Sequence, residues 1–157
     1  MPISLAGFTK SNSMNEINMM ATLVKLADLG VTGVKVTYEG SGDSGAIENV
    51  VYTIDKMDED EENAFSDLSD IYIWSKDALN LKDLDSGLAS DIENFVEEKL
   101  LNDIEDWWNN DGGYGSVCIL IPSGKYKIIN EVRITEIETY YHEGSLIQKK
   151  LYALPQG

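Results

Sequence analysis

Apolar residues recur at helical spacing in two stretches of the chain and at strand spacing in several others. Ile17, Met20, Val24 and Ala27 mark one face of a helix predicted over 13–29. Ser13 and Glu16 form a capping-box pattern at its start, and Gly30 stands where a C′ glycine would end it. The second stretch, 88–108, aligns Ile92, Phe95, Val96, Leu100, Ile104 and Trp107 on one face. Asp91, Glu98 and Glu105 fall at sevenfold spacing on the other. Between the two helices, Val34, Val36 and Tyr38 alternate with Lys35, Thr37 and Glu39. The glycine-rich run Gly40-Ser41-Gly42-Asp43-Ser44-Gly45 then leads into Val50, Val51, Tyr52 and Ile54, which reads as a hairpin. Beyond Asn109-Asn110-Asp111-Gly112-Gly113 the chain reads as β. Strands are expected at 117–121 and 126–129 around a Pro122-Ser123-Gly124 turn, then over 132–141 and 146–154. The pattern predicts one α+β domain over 1–157: an antiparallel sheet of four to five strands with two main helices, in the order α-β-β-α-β-β.

Charge changes that picture in one place. The 157 residues carry 28 Asp and Glu against 12 Lys and Arg, a formal net charge of −16. Residues 55–106 hold 18 of the acids and only 4 of the bases. This third includes Asp58-Glu59-Asp60-Glu61-Glu62, whose mutual repulsion favours an exposed loop or a helix start. Phe65, Leu68, Ile71, Tyr72, Ile73 and Trp74 punctuate the same region, so the acidic segment at about 55–87, read as an insertion, belongs to something that folds. Direct binding to nucleic acid or an anionic membrane is disfavoured, because phosphate contacts need clustered cations. One cysteine, Cys118, and one histidine, His142, exclude disulfide frameworks and Cys/His metal clusters within one chain. No run resembles a signal peptide or a membrane span, so a cytoplasmic protein without a cofactor is expected.

Three motifs invite a chemical reading. The Gly40–Gly45 run lacks the Gly-Lys-Ser or Gly-Lys-Thr ending of a phosphate loop and precedes a strand. The run Trp107-Trp108-Asn109-Asn110-Asp111-Gly112-Gly113-Tyr114-Gly115 has the oxygens and glycines of a calcium loop. Its twelfth position is Val117 counting from Asp106 and Pro122 counting from Asp111, so the closing carboxylate is missing. On the strand expected over 132–141 and just beyond it, Glu136, Glu138, Tyr140 and His142 share a face; Arg133, Thr135, Ile137, Thr139 and Tyr141 share the other. A carboxylate beside a histidine can serve as a general base, but no nucleophile motif accompanies it. Cys118 sits among Val117, Ile119 and Leu120, the company of a buried thiol.

Three segments taken together resemble a family of small bacterial proteins of unknown function found on plasmids and other mobile elements. They are Tyr38-Glu39-Gly40-Ser41-Gly42-Asp43-Ser44-Gly45 with Ile47-Glu48, the Trp107–Gly115 run, and Asn130, Arg133, Glu136, Glu138 and Tyr140 to Glu143. The resemblance covers about 22–54 and 95–143. It implies a single α+β domain in a mobile-element setting and assigns no catalytic residue. Between Met57 and Leu88 this chain departs from that family's usual look.

The expected function is therefore that of an acidic, non-enzymatic binding protein. Carboxylates on a helix and its neighbouring loop imitate the phosphate rows of a duplex, so the partner is a basic, nucleic-acid-binding effector or nuclease. An anti-CRISPR, anti-restriction or toxin-immunity protein of a phage or plasmid is the concrete form. The partner-binding set is Asp58, Glu59, Asp60, Glu61, Glu62, Asp67, Asp70, Trp74, Asp91, Glu98 and Glu105; Trp74, Trp107 and Trp108 serve as apolar anchors where they are exposed, Trp107 least because it fits the buried helical stripe. The competing class is a small enzyme or metal- or ligand-binding domain using Asp43, Asp111, Glu136 and His142. A homo-oligomer, in which the partner is a second copy, is a third reading.

Overall fold

Strand alternation distributes the central strand between two interiors. Along β1 (Gly33–Ser41), Val34, Val36 and Tyr38 point to one side of the sheet, and Gly33, Lys35 and Thr37 to the other. The computed structural model describes residues 11–41, 44–72, 74–76, 78–104, 112–121, 123–133 and 137–146. Its further elements are α1 (Ser11–Asp28), β2 (Ser44–Thr53), α2 (Glu61–Ser69), β3 (Leu79–Asn80), α3 (Leu81–Leu84), α4 (Ser86–Phe95), β4 (Gly113–Leu120), β5 (Lys125–Arg133) and β6 (Ile137–Ser145). The six strands form one antiparallel sheet in the order β3-β2-β1-β4-β5-β6. No helix among the described residues is long and apolar enough to cross a membrane.

The larger core lies on the Val34 side. Met19, Leu23 and Leu26 of α1, Leu81 of α3 and Leu88, Ala89 and Ile92 of α4 pack there against Val36, Tyr52, Val117, Ile119 and Ile128. The smaller core lies on the Lys35 side, where α2 lays Ala64, Phe65 and Leu68 against Cys118 and Leu120. Burying Phe65 and Leu68 is worth roughly 1.5–3 kcal/mol each, enough to hold this short helix on the sheet. The sheet is thus covered on both faces, but α2 covers only part of its own.

Several expectations are corrected. The sheet has six strands and the described residues form four α-helices, where four to five strands and two main helices were expected. The buried stripe of α1 is Met19, Leu23 and Leu26, and Val24 is 54% exposed. Apolar residues stand at neighbouring positions, Met19 beside Met20 and Leu23 beside Val24, so two overlapping stripes were available and tertiary packing chose between them. The helix expected over 88–108 is regular only to Phe95; a π-helical turn follows over Val96–Leu100 and a 3-10 turn over Leu101–Asp103. In the π turn the Leu101 N–H donates to the Val96 carbonyl, five residues back. That extra residue shifts the phase and buries Leu101 in place of Leu100. Glu105, Trp107 and Trp108 lie outside the described residues. The strand expected over 132–141 is two strands, with Arg133 paired to Ile137. Ile134-Thr135-Glu136 contains none of the Gly, Pro, Asn or Asp residues that mark a turn. Strands β1 and β2 extend through most of the predicted Gly40–Gly45 loop, to the pair Ser41 and Ser44. Most of the strand expected over 146–154 lies outside the described residues. Gly30 does terminate α1, at φ +86°, and the Val31 N–H returns to the Leu26 carbonyl.

Two glycines of the sheet are set by tyrosines lying across them. A Cβ on Gly115 would stand 2.0 Å from the Ile129 carbonyl oxygen and 2.7 Å from the Tyr38 hydroxyl. Tyr38 crosses this bare position to donate a 2.7 Å hydrogen bond to Asn130 Oδ1 in the larger core. Tyr126 likewise covers its cross-strand partner Gly144. Gly115→Ala should therefore lower unfolding stability by roughly 1–3 kcal/mol in a denaturant titration, since part of the obstruction is backbone that cannot rotate away.

Candidate functional site

The five adjacent carboxylates start α2. Asp60 is the N-cap, its side chain accepting from the Asn63 N–H at 3.1 Å, and Asp58 accepts from the Asp60 N–H at 2.7 Å. Glu61 and Glu62 occupy the first turn, where the unpaired N–H groups and helix dipole favour anions. They also reach β5: Glu61 pairs with Lys125 at 3.0 Å and Glu62 with Lys127 at 3.5 Å. Lys127 is shared with Glu143 of β6 at 3.7 Å. All five acids remain exposed, as do Asp67 and Asp70 further along.

The other end of α2 is held from below. Lys35 is 2% exposed, although strand alternation predicts it on a solvent face. Its Nζ donates to the Ser69 carbonyl at 2.7 Å and the Ile71 carbonyl at 2.8 Å, and lies 3.7 Å from the centre of the Tyr72 ring. Tyr72 in turn stacks on Trp74, with centroids 4.8 Å apart and planes 3° from parallel. Trp74 is 78% exposed. Burial lowers the Lys35 pKa below the usual lysine value, opposed by the neighbouring Cys118 and Asp70. Burial pushes the Cys118 thiol up to about 11.

Where α2 stops, the sheet's second face is uncovered and a half-open cavity of about 370 Å³ lies between the strands and the Ser69–Trp74 turn. Lys35, Thr37 and Ser116 are among the residues that floor it, and Tyr72 and Trp74 form its lip. A β-bulge opposite Thr37 and Tyr38, which pair with Asn49 and Ile47, leaves Glu48 as the extra residue. The cavity is lined by Glu48 together with Asn49, and on the far side by Glu131. The buried Thr37 Oγ1 has no hydrogen-bond partner among the described residues.

The structure divides the predicted partner-binding set. Asp58 to Glu62, Asp67, Asp70 and Trp74 gather on and beside α2, whereas Asp91 and Glu98 lie on the opposite side of the sheet with α4. There they line a groove that also contains Lys25 and Lys99, so the carboxylates do not form one continuous array. Glu105 lies outside the described residues, as do Asp43, Asp111 and Glu136 of the competing set. His142 is half-buried on β6, paired with Ile128, and Tyr140 donates to Glu138 on the same face. No group of three or more His, Cys, Asp or Glu side chains among the described residues could hold a metal ion. Sequence reasoning missed Lys35, Thr37, Glu48, Asn49 and Tyr72. The signal for the first two was the apolar company at outward positions of neighbouring strands, Val51, Cys118 and Leu120, which shows that this face is also covered.

Two outcomes follow from this geometry. Lys35→Met, which removes the donor to two carbonyls, should cost roughly 1–3 kcal/mol of stability and shift tryptophan emission as the Tyr72–Trp74 stack loosens. The Cys118 thiol ionises near 9.0 unfolded and about 11 folded. Its contribution is therefore fully present below pH 9 and lost as pH rises towards 11. Across that window the native chain should lose about 2 kcal/mol relative to Cys118→Ala in urea titrations.

No curated protein and no solved structure shows significant similarity to the chain. A family model does match it, over residues 14–144, a span that includes both the acidic segment and the cavity. The chain belongs to that family, described as a family of unknown function (DUF6878).

Proposed function

We propose that the chain is a non-enzymatic acidic binding protein that occupies the DNA- or RNA-binding groove of a cationic partner. The observation that carries this reading is the α2 platform. Ala64, Phe65 and Leu68 are buried while the seven acids between Asp58 and Asp70 stay exposed. Glu61, Glu62 and Asp67 are therefore held on a packed helix, with Asp60 and Asp70 at its caps and Asp58 and Glu59 just before it, which spares a partner much of the entropy cost of ordering them. Two of the seven are paired to lysines at the surface, interactions worth little against a cationic groove. Trp74, exposed beside this array, supplies the apolar contact that converts electrostatic attraction into residence time. A phage or plasmid inhibitor of a host defence nuclease, anti-CRISPR or anti-restriction, is the concrete form; an immunity protein for a basic toxin uses the same physics.

The test is capture from the native host at low salt, followed by gel-shift assay of the captured protein's nucleic-acid binding with and without the chain. A basic protein should be retained, released as salt is raised, and displaced from its nucleic acid by the chain. Changing Asp58 and Asp60 to Asn and Glu59, Glu61 and Glu62 to Gln keeps the cap and costs at most about 1 kcal/mol per ion pair in stability. That variant should fold and lose displacement. Retention indifferent both to salt and to these substitutions would refute the reading.

A further inference from the structure

The cavity beside α2 has a chemistry of its own. Its walls carry three carboxylates, Glu48, Asp70 and Glu131, against one ammonium, Lys35. That ammonium is already turned to the Ser69 and Ile71 carbonyls and to one face of Tyr72. The other face of Tyr72 is covered by Trp74, which leaves the outer face of the indole to solvent at the cavity mouth. An acidic recess with an aromatic lip favours a cation, and a planar one in particular, since a guanidinium stacks on an indole while its edge donates in several directions. The buried Thr37 hydroxyl, without a partner among the described residues, offers an acceptor at the floor. A volume of about 370 Å³ is at the small end of ligand sites and admits one long side chain.

We infer that this cavity seats an arginine side chain of the partner polypeptide, its guanidinium on Trp74 and its edge towards Thr37, Glu48 and Glu131. The inference rests on the binding reading above and adds a preference for arginine over lysine. A bare array of carboxylates would not show one, because both cations carry the same charge. Calorimetric titration of the full chain with an oligo-arginine and an oligo-lysine peptide of equal length tests it. Oligo-arginine should bind about tenfold more tightly. Trp74→Ala, at an exposed position that leaves the fold intact, should weaken both peptides and abolish the difference between them. Thr37→Val should weaken the preference without lowering the unfolding midpoint, because the hydroxyl it deletes has no partner among the described residues. Equal affinity for the two peptides, or a preference that survives Trp74→Ala, overturns the arginine seat alone. Saturation by free arginine as tight as by the peptide also overturns it, since the occupant would then be a small molecule. Failure of both peptides to bind at low salt overturns the binding reading as well.

Discussion

The arrangement on the acidic side of the sheet depends on one buried ammonium. An isolated charge under α2 would be costly, and Lys35 offsets the cost with two main-chain acceptors and an aromatic face. In doing so it ties a central strand to residues 34 and 36 positions away. The contact gives a donor to the carbonyl of Ser69, the last residue of α2, and it places a positive charge where the helix dipole is negative. The position of Tyr72, the stack on Trp74 and the width of the adjoining cavity follow from where that ammonium sits.

The acidic block at the other end of α2 shows how a dense charge becomes tolerable in a folded chain. Asp58 and Asp60 act as acceptors for backbone N–H groups, and Glu61 and Glu62 sit at the positive end of the helix and against two lysines of β5. The same residues that look like a liability in sequence are the start signal of the helix. Their side chains stay in water and remain available for long-range attraction, with α2 held by its apolar face rather than by the ion pairs.

What was hard to read had specific causes. The α1 stripe was misplaced because adjacent apolar pairs, Met19-Met20 and Leu23-Val24, allow two overlapping stripes. The second long helix lost its phase at the Val96–Leu100 π turn, which has no residue signature. The β5–β6 boundary was invisible because strand-forming residues fill it. The cavity escaped notice because its parts come from β1, β2, β4, β5 and the turn after α2. None of Lys35, Thr37 or Glu48 stands out in a local window; each acquires a role only opposite the others.

By itself the sequence determined the α+β class, the hairpin, the glycine stop after α1, the burial of Cys118 and the exposure of the acid run, while leaving open whether that run is a loop or a helix start. All of these rest on local periodicity, capping chemistry or the company of immediate neighbours. Tertiary structure alone decided that the sheet has two covered faces, that Asp91 and Glu98 are separated from the α2 acids, and that a polar strand residue becomes a buried clamp. Those outcomes depend on which surfaces meet across long sequence separations, and burial and pairing there outweigh what any single residue prefers.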